Sequence, residues 1–246
     1  YEKIRSNRRG IPWISFAFLG VKPKKFYIES TVRSAMQKGT TDGDNLKIVV
    51  NGKILKNKKS FTSKKYQKKV EEALRGSVVG IKIFPGYHPF YPSDKRYFPF
   101  YKLAAKYKKP VIIHTGDTFG SQHFVKYAHP LDIDEIAVRF PNTTFIIAHL
   151  GNPWVRDAAE VLYKNENVYA DLSAFCIGHT HGLHFKLIQD DIRWALAYCH
   201  RPDKFLYGSD WPLTPMKPYI TLIKKAIPKE IHTKVFWENA KKVFRL

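Results

Sequence analysis

Six short runs of almost unbroken apolar residues recur along this 246-residue chain, and they restrict its fold more than any other feature. They occupy 12–18 (PWISFAF), 78–84 (VVGIKIF), 110–114 (PVIIH), 144–149 (TFIIAH), 167–172 (NVYADL) and 204–208 (KFLYG). Each is short for a helix and too uniformly apolar for a strand with one wet face, so each reads as a strand covered on both sides. Between them lie helix patterns at Phe98 to Tyr107, Pro130 to Arg139 and Trp154 to Lys164, whose ends are marked by Pro110, Pro141 and the Asn165 to Asn167 turn. Strands alternating with helices imply an α/β fold with a parallel sheet. One stretch breaks the alternation: KIVV, Asn51-Gly52 and KILK spell an antiparallel hairpin with a type I′ turn. The expected organisation is one (β/α)-barrel domain over 1–246, with a hairpin and basic insertion at 40–70 as an excursion from it.

Charge is unevenly spread. The net charge is +21, and residues 1–75 hold 19 Lys and Arg against 6 Asp and Glu. The densest part, Lys53 to Lys69, has eight lysines with Phe61 and Tyr66 interleaved. Such a run suits a phosphate backbone, but a solvated face is the commoner meaning of clustered lysine, so nucleic acid is kept as a minor reading. Disorder is excluded as the dominant state by 17 Phe, 14 Tyr and 5 Trp, which supply ample surface to bury. No stretch approaches the roughly 18 apolar residues that span a bilayer, and no apolar signal core follows the charged start, so a cytoplasmic location and no membrane partner are expected. Cys176 and Cys199 have no framework or CxxC spacing and read as core residues.

The chemistry lies where the strands end. His114 and His149 close two apolar runs, and Asp210 follows a third. In a (β/α) barrel the C-terminal strand ends converge on one face, where reacting groups are built. Read singly, each histidine is a hydrogen-bonded structural residue and Asp210 a helix cap. Read together, they form a shared metal or catalytic site. Lys82, inside VVGIKIFP, is costly to bury unless its ammonium reaches the strand end or an acid such as Asp171. Tyr87, Asp117 and Trp211 follow strand ends and are candidates, with Lys82, for contacting substrate.

The ordered set GIKIFPGYHPFYP (80–92), PVIIHTGD (110–117), YAHPLDIDEIAVRFPNTTFIIAHLGNPW (127–154), NVYADLSAF (167–175) and LYGSDWP (206–212) resembles the amidohydrolase-2 family of metal-dependent TIM-barrel hydrolases and decarboxylases. The resemblance implies that His114 ligates a divalent metal, zinc in first place. It implies that His149 ligates metal or holds the reactive water, and that Asp210 is both ligand and proton acceptor. The complete protein is then expected to hydrolyse a small amide, lactone or ester through a metal-activated water, with His149 orienting that water or stabilising an oxyanion. Non-oxidative decarboxylation is the runner-up. An inactive barrel with a basic polyanion-binding surface is the reading from another class.

The family opens with a His-x-His pair on its first strand, and no such pair precedes residue 179 here. Six expected strands also fall short of eight, and Tyr1 stands where Met would. The expectation is a segment of a longer protein without strands one and two, prone to self-association; a degenerate relative and a barrel completed by another chain are the alternatives. His179-x-His181, with His184 nearby, follows the seventh strand and is expected to contact substrate or solvent rather than metal.

Overall fold

A computed structural model of the chain describes residues 49–50, 53–54, 64–76, 78–176, 182–210 and 213–246. The expected strand at 12–18 lies outside these residues, as do Trp211, His179, His181 and the central part of the lysine run. The described strands are β1 (Val49–Val50), β2 (Lys53–Ile54), β3 (Ile81–Ile83), β4 (Val111–Ile113), β5 (Phe145–Ile147), β6 (Val168–Asp171) and β7 (Phe205–Leu206). They form one sheet in the order β2-β1-β3-β4-β5-β6-β7. From β3 to β7 every pairing is parallel, so five of the apolar runs became strands as their composition required. The hairpin has its expected register, Val49 opposite Ile54 and Val50 opposite Lys53. It is antiparallel, as an element outside the β/α repeat must be. It does not stand clear of the sheet, however, because Val49 pairs with Lys82 and covers the open edge of β3.

The helices are α1 (Lys64–Arg75), α2 (Phe98–Lys106), α3 (Leu131–Arg139), α4 (Val155–Lys164), α5 (Leu183–Cys199), α6 (Met216–Ala226) and α7 (Asn239–Phe244). In α4, Val155, Ala158, Ala159 and Leu162 recur at helical spacing and are buried, which turns one stripe of the helix to the sheet. Its C-terminal end is held from outside: the Nζ of fully buried Lys204 donates to the carbonyls of Leu162 (2.9 Å) and Asn165 (2.6 Å). Tyr66 of α1 is buried against Phe100 of α2, so it is a core residue and offers no surface for base stacking. Lys64 and Lys68 instead line an open groove with Lys102 and Lys106. No helix among the described residues is long and apolar enough to cross a membrane.

Side-chain alternation along the strands separates two cores. Ile81, Ile83, Val111, Ile113, Phe145 and Ile147 face the surrounding helices. Ile112, Ile146, Ala148 and Leu206 form a smaller cluster with Ala240, Val243 and Phe244 of the C-terminal segment. This double coverage is why the strands lack polar alternation. Lys82 is paired in register with Ile112, and Ile112 with Ile146, which assigns Lys82 to the second face.

Candidate active site

Parallel register decides which residues meet. Ile83 is level with Ile113, Ile113 with Ile147, and Ile147 with Ala170, so the residues that follow them leave the sheet at a common edge. His114 is nearly buried there, and its backbone N–H still pairs with the Ile83 carbonyl (3.0 Å). His149 is half-buried in a sharp turn with φ +65°, and Leu150 continues the left-handed path at φ +43°. These are uncommon conformations for residues with side chains and persist only where the surroundings impose them. Here the His149 N–H donates to Asp171 Oδ1 at 3.0 Å, which holds the turn. The His114 and His149 rings lie 5.1 Å apart between centroids, at 66°.

Each imidazole is held by one nitrogen. His114 Nε2 lies 3.0 Å from the Asp117 carbonyl oxygen, which only accepts, so Nε2 carries the hydrogen and Nδ1 is bare. His149 Nδ1 lies 2.8 Å from Ser173 Oγ. Burial holds the pKa of His114 well below the ordinary histidine value, with the neighbouring His149 and Lys82 acting in the same direction. Burial and then Lys82 push His149 down to about 3. Both rings are therefore neutral in ordinary buffers.

Asp171 ends β6 with no exposed surface. Its Oδ1 accepts from the backbone N–H of His149 and of Ser173, each at 3.0 Å, and from the Ser173 hydroxyl, while its buried Oδ2 has no hydrogen-bond partner. Lys82 retains some exposure although it is packed among the strand ends. Burial lowers its pKa, and the nearby Asp171 and Asp210 oppose that shift, so the expected relation of Lys82 to Asp171 is one of electrostatic proximity. The Lys82 Nζ lies 5.5 Å from the Phe84 ring centroid.

Asp210 follows β7 with φ +56° and is half-buried. Its influence on Lys82 and on Tyr87 puts it at the same end of the sheet. Among the described residues no three His, Cys, Asp or Glu side chains gather closely enough to enclose an ion. The expected close trio of His114, His149 and Asp210 is therefore present as a pair of imidazoles, without Asp210 joining them in an ion-sized group. Two neutral rings with one bare nitrogen each are the donor type that a divalent cation takes; the number of donors falls short of a complete site.

Tyr87 packs its ring 4.8 Å from His114, and its hydroxyl accepts from the Phe119 N–H at 3.1 Å. Burial pushes its pKa up to about 12. Asp117 acts on His114 through its backbone carbonyl, while the residue itself is exposed. His184, at the start of α5, is exposed. Ser173 is the residue that sequence reasoning missed. Its signal is the Asp171-x-Ser173 spacing at a strand end, which puts both side chains on one side.

A family model described as Amidohydrolase matches residues 66–246. The chain belongs to the amidohydrolase-2 family. Solved structures similar to this chain include an uncharacterized TIM-barrel protein from Bordetella bronchiseptica, at 24% identity and a TM-score of 0.60, covering 74% of this chain and 62% of that one. A dihydroxybenzoic acid decarboxylase from a Polaromonas species, with bound manganese and 2-nitroresorcinol, is 16% identical with a TM-score of 0.55, covering 74% and 65%. A probable 2-pyrone-4,6-dicarboxylic acid hydrolase from Acinetobacter baumannii, with citric acid bound, is 14% identical with a TM-score of 0.55, covering 76% and 71%. At these identities the likeness establishes a shared TIM-barrel fold. The chain spans less than two thirds of the first two proteins. No curated protein sequence matches the chain.

Proposed function

We propose that the complete protein is a metal-dependent hydrolase of a small amide, lactone or ester. The observation that carries this reading is the pair of neutral imidazoles, 5.1 Å apart, each with one nitrogen bound and the other bare. His114 through Nδ1 and His149 through Nε2 would hold the cation, with zinc preferred for nitrogen donors, and Asp210 would join them only by a movement of its side chain toward the rings. When bound, a divalent cation would supply positive charge to polarise a carbonyl and lower the pKa of a water. Asp210 would accept the proton of the attacking water and return it to the leaving group. His149 orients that water where it does not ligate. Lys82 draws an anionic group of the substrate to the strand ends, and Tyr87 packs beside it.

A second reading is decarboxylation of an aromatic acid. The observation favouring it is the Lys82 ammonium 5.5 Å from the Phe84 ring, a cation beside aromatic surface that matches a carboxylate on a ring. A panel of pyrone lactones, aryl esters and hydroxybenzoates, each with zinc or manganese, separates the two by product. Turnover is expected only with metal, and His114→Ala and Asp210→Ala should each reduce it at least about 100-fold, as loss of a charge-stabilising group does. Full turnover in a chelator, or in His114→Ala, would remove the metal reading. Because the described residues supply so few donors, zinc binding by this chain alone is expected to be weak, and stoichiometric tight binding would show that further ligands take part.

A further inference from the structure

We propose that Asp171 and Ser173 form a bracket that fixes His149 as the Nδ1–H tautomer and presents a bare Nε2 at the strand ends. The argument follows single protons. Asp171 Oδ1 accepts two backbone N–H groups, from His149 and Ser173 at 3.0 Å each, so it has no proton of its own to offer. Any proton on this carboxyl would sit on Oδ2, which has no partner. The Ser173 hydroxyl therefore donates to Oδ1 in either protonation state of Asp171. A hydroxyl has one hydrogen. With it committed to Asp171, Ser173 Oγ meets His149 Nδ1 at 2.8 Å with a lone pair, and Nδ1 must be the donor. In the neutral ring that leaves Nε2 as the only bare nitrogen.

The bracket is rigidly seated. Leu172 N–H donates to the Leu206 carbonyl (2.8 Å), the Tyr219 hydroxyl donates to the Leu172 carbonyl (2.6 Å), and the Phe175 N–H donates to that hydroxyl (3.2 Å). Ser173 is thus held on both sides in sequence. Opposite it, a Cβ on Gly208 would come within 2.9 Å of Ser173 Cβ, so the absence of a side chain at 208 makes room for the serine.

The consequence is a division of labour. A bare Nε2 accepts a hydrogen bond or a cation and cannot donate to a developing oxyanion. Of the two roles expected for His149, only ligand or water acceptor is compatible with the bracket, and Lys82 is a cationic donor near the strand ends among the described residues. This use of His149 rests on the proposed function; the tautomer does not. Asp171 and Ser173 are positioning residues, since they act through His149.

Long-range proton–nitrogen spectra of histidine-labelled protein read the tautomer directly, with His149 assigned by the signal lost in His149→Gln. The expected wild-type pattern is Nδ1–H. Ser173→Ala should shift His149 toward Nε2–H while the backbone amide spectrum stays native, and Ser173→Thr, which keeps the hydroxyl, should restore the pattern. An Nε2–H pattern in the wild type overturns the proposal whether or not any variant folds, and so does an unchanged Nδ1–H pattern in folded Ser173→Ala. Manganese added as a paramagnetic probe separates the two claims. Nδ1–H without broadening of His149 leaves the bracket standing and counts against the metal reading; broadening with Nε2–H does the reverse.

Discussion

Replacing Lys204 by Met isolates one buried ammonium. The methionine keeps the length and apolar body of the stem, so packing of the fully buried side chain changes little and the loss falls on Nζ. That atom donates to the carbonyls of Leu162 and Asn165, 2.9 and 2.6 Å away, at the end of α4, where helical carbonyls lack partners within the helix. The Leu162 carbonyl is then left unsatisfied, at about 1–3 kcal/mol, while the Asn165 carbonyl keeps the Val168 N–H (3.2 Å) and loses a charge-assisted bond of about 1.5–3 kcal/mol, so the gross loss is about 2.5–6 kcal/mol. Against this stands the relief of no longer burying a cation, whose cost is visible in the lowered pKa of Lys204. A net destabilisation of about 3 kcal/mol is expected, a large fraction of the roughly 5–15 kcal/mol that holds a domain together. Urea unfolding should show a lower midpoint with an unchanged slope, and the melting temperature should fall by about 6–12 °C. A loss below about 1 kcal/mol would show that water replaces the ammonium at these carbonyls and that the cap contributes little.

Gly116 has φ +84°, and a Cβ there would lie 2.0 Å from the Asn152 carbonyl oxygen, so Gly116→Ala should cost at least about 2 kcal/mol and separate the loops that follow β4 and β5; a native melting curve would contradict this. The Cys199 thiol is buried, donates to the Ala159 carbonyl at 3.2 Å and is pushed up to about 11, so a thiol reagent at pH 8 should leave it unlabelled in folded protein and label it fully in urea. Arg96 holds the Asp94 carboxyl below its ordinary range through a direct ion pair at 2.7 Å, and Asp94 also accepts from the Arg96 N–H at the start of a 3₁₀ turn. Because the folded pKa is the lower one, this stabilisation is complete above the ordinary carboxylate range and disappears as pH falls through the depressed value. Asp94→Ala should cost about 0.5–1 kcal/mol at pH 7, discounted for partial exposure, and less in strong acid, where the ion pair is lost and only the cap to the Arg96 N–H remains; a difference independent of pH would refute the ion-pair account.

Which residues stand together at the strand ends was readable from the sequence. Apolar runs closing on His114 and His149 can be ordered by parallel register alone, and the structure brings their rings to 5.1 Å. Helix limits were equally local: α3 stops at Arg139 before Pro141, and α4 at Lys164 before the Asn165 to Asn167 turn. Lys82 announced itself because a lysine in a buried strand needs an electrostatic reason, and Asp171 and Asp210 supply one. Burial of Tyr66 was not legible, because an aromatic among lysines is ambiguous until the helix has a partner, and α2 decides which side faces inward. The attachment of the hairpin to β3 was hidden for a similar reason: its turn specifies its own pairing but not the edge that receives it. Nor does spacing reveal that Asp171 reaches across 22 residues to hold His149 in a left-handed turn while sharing Ser173 with the same ring. Composition and periodicity determine which residues stand at the ends of strands. Only the tertiary structure decides which single nitrogen each histidine leaves bare, because that depends on hydrogen bonds between residues remote in sequence.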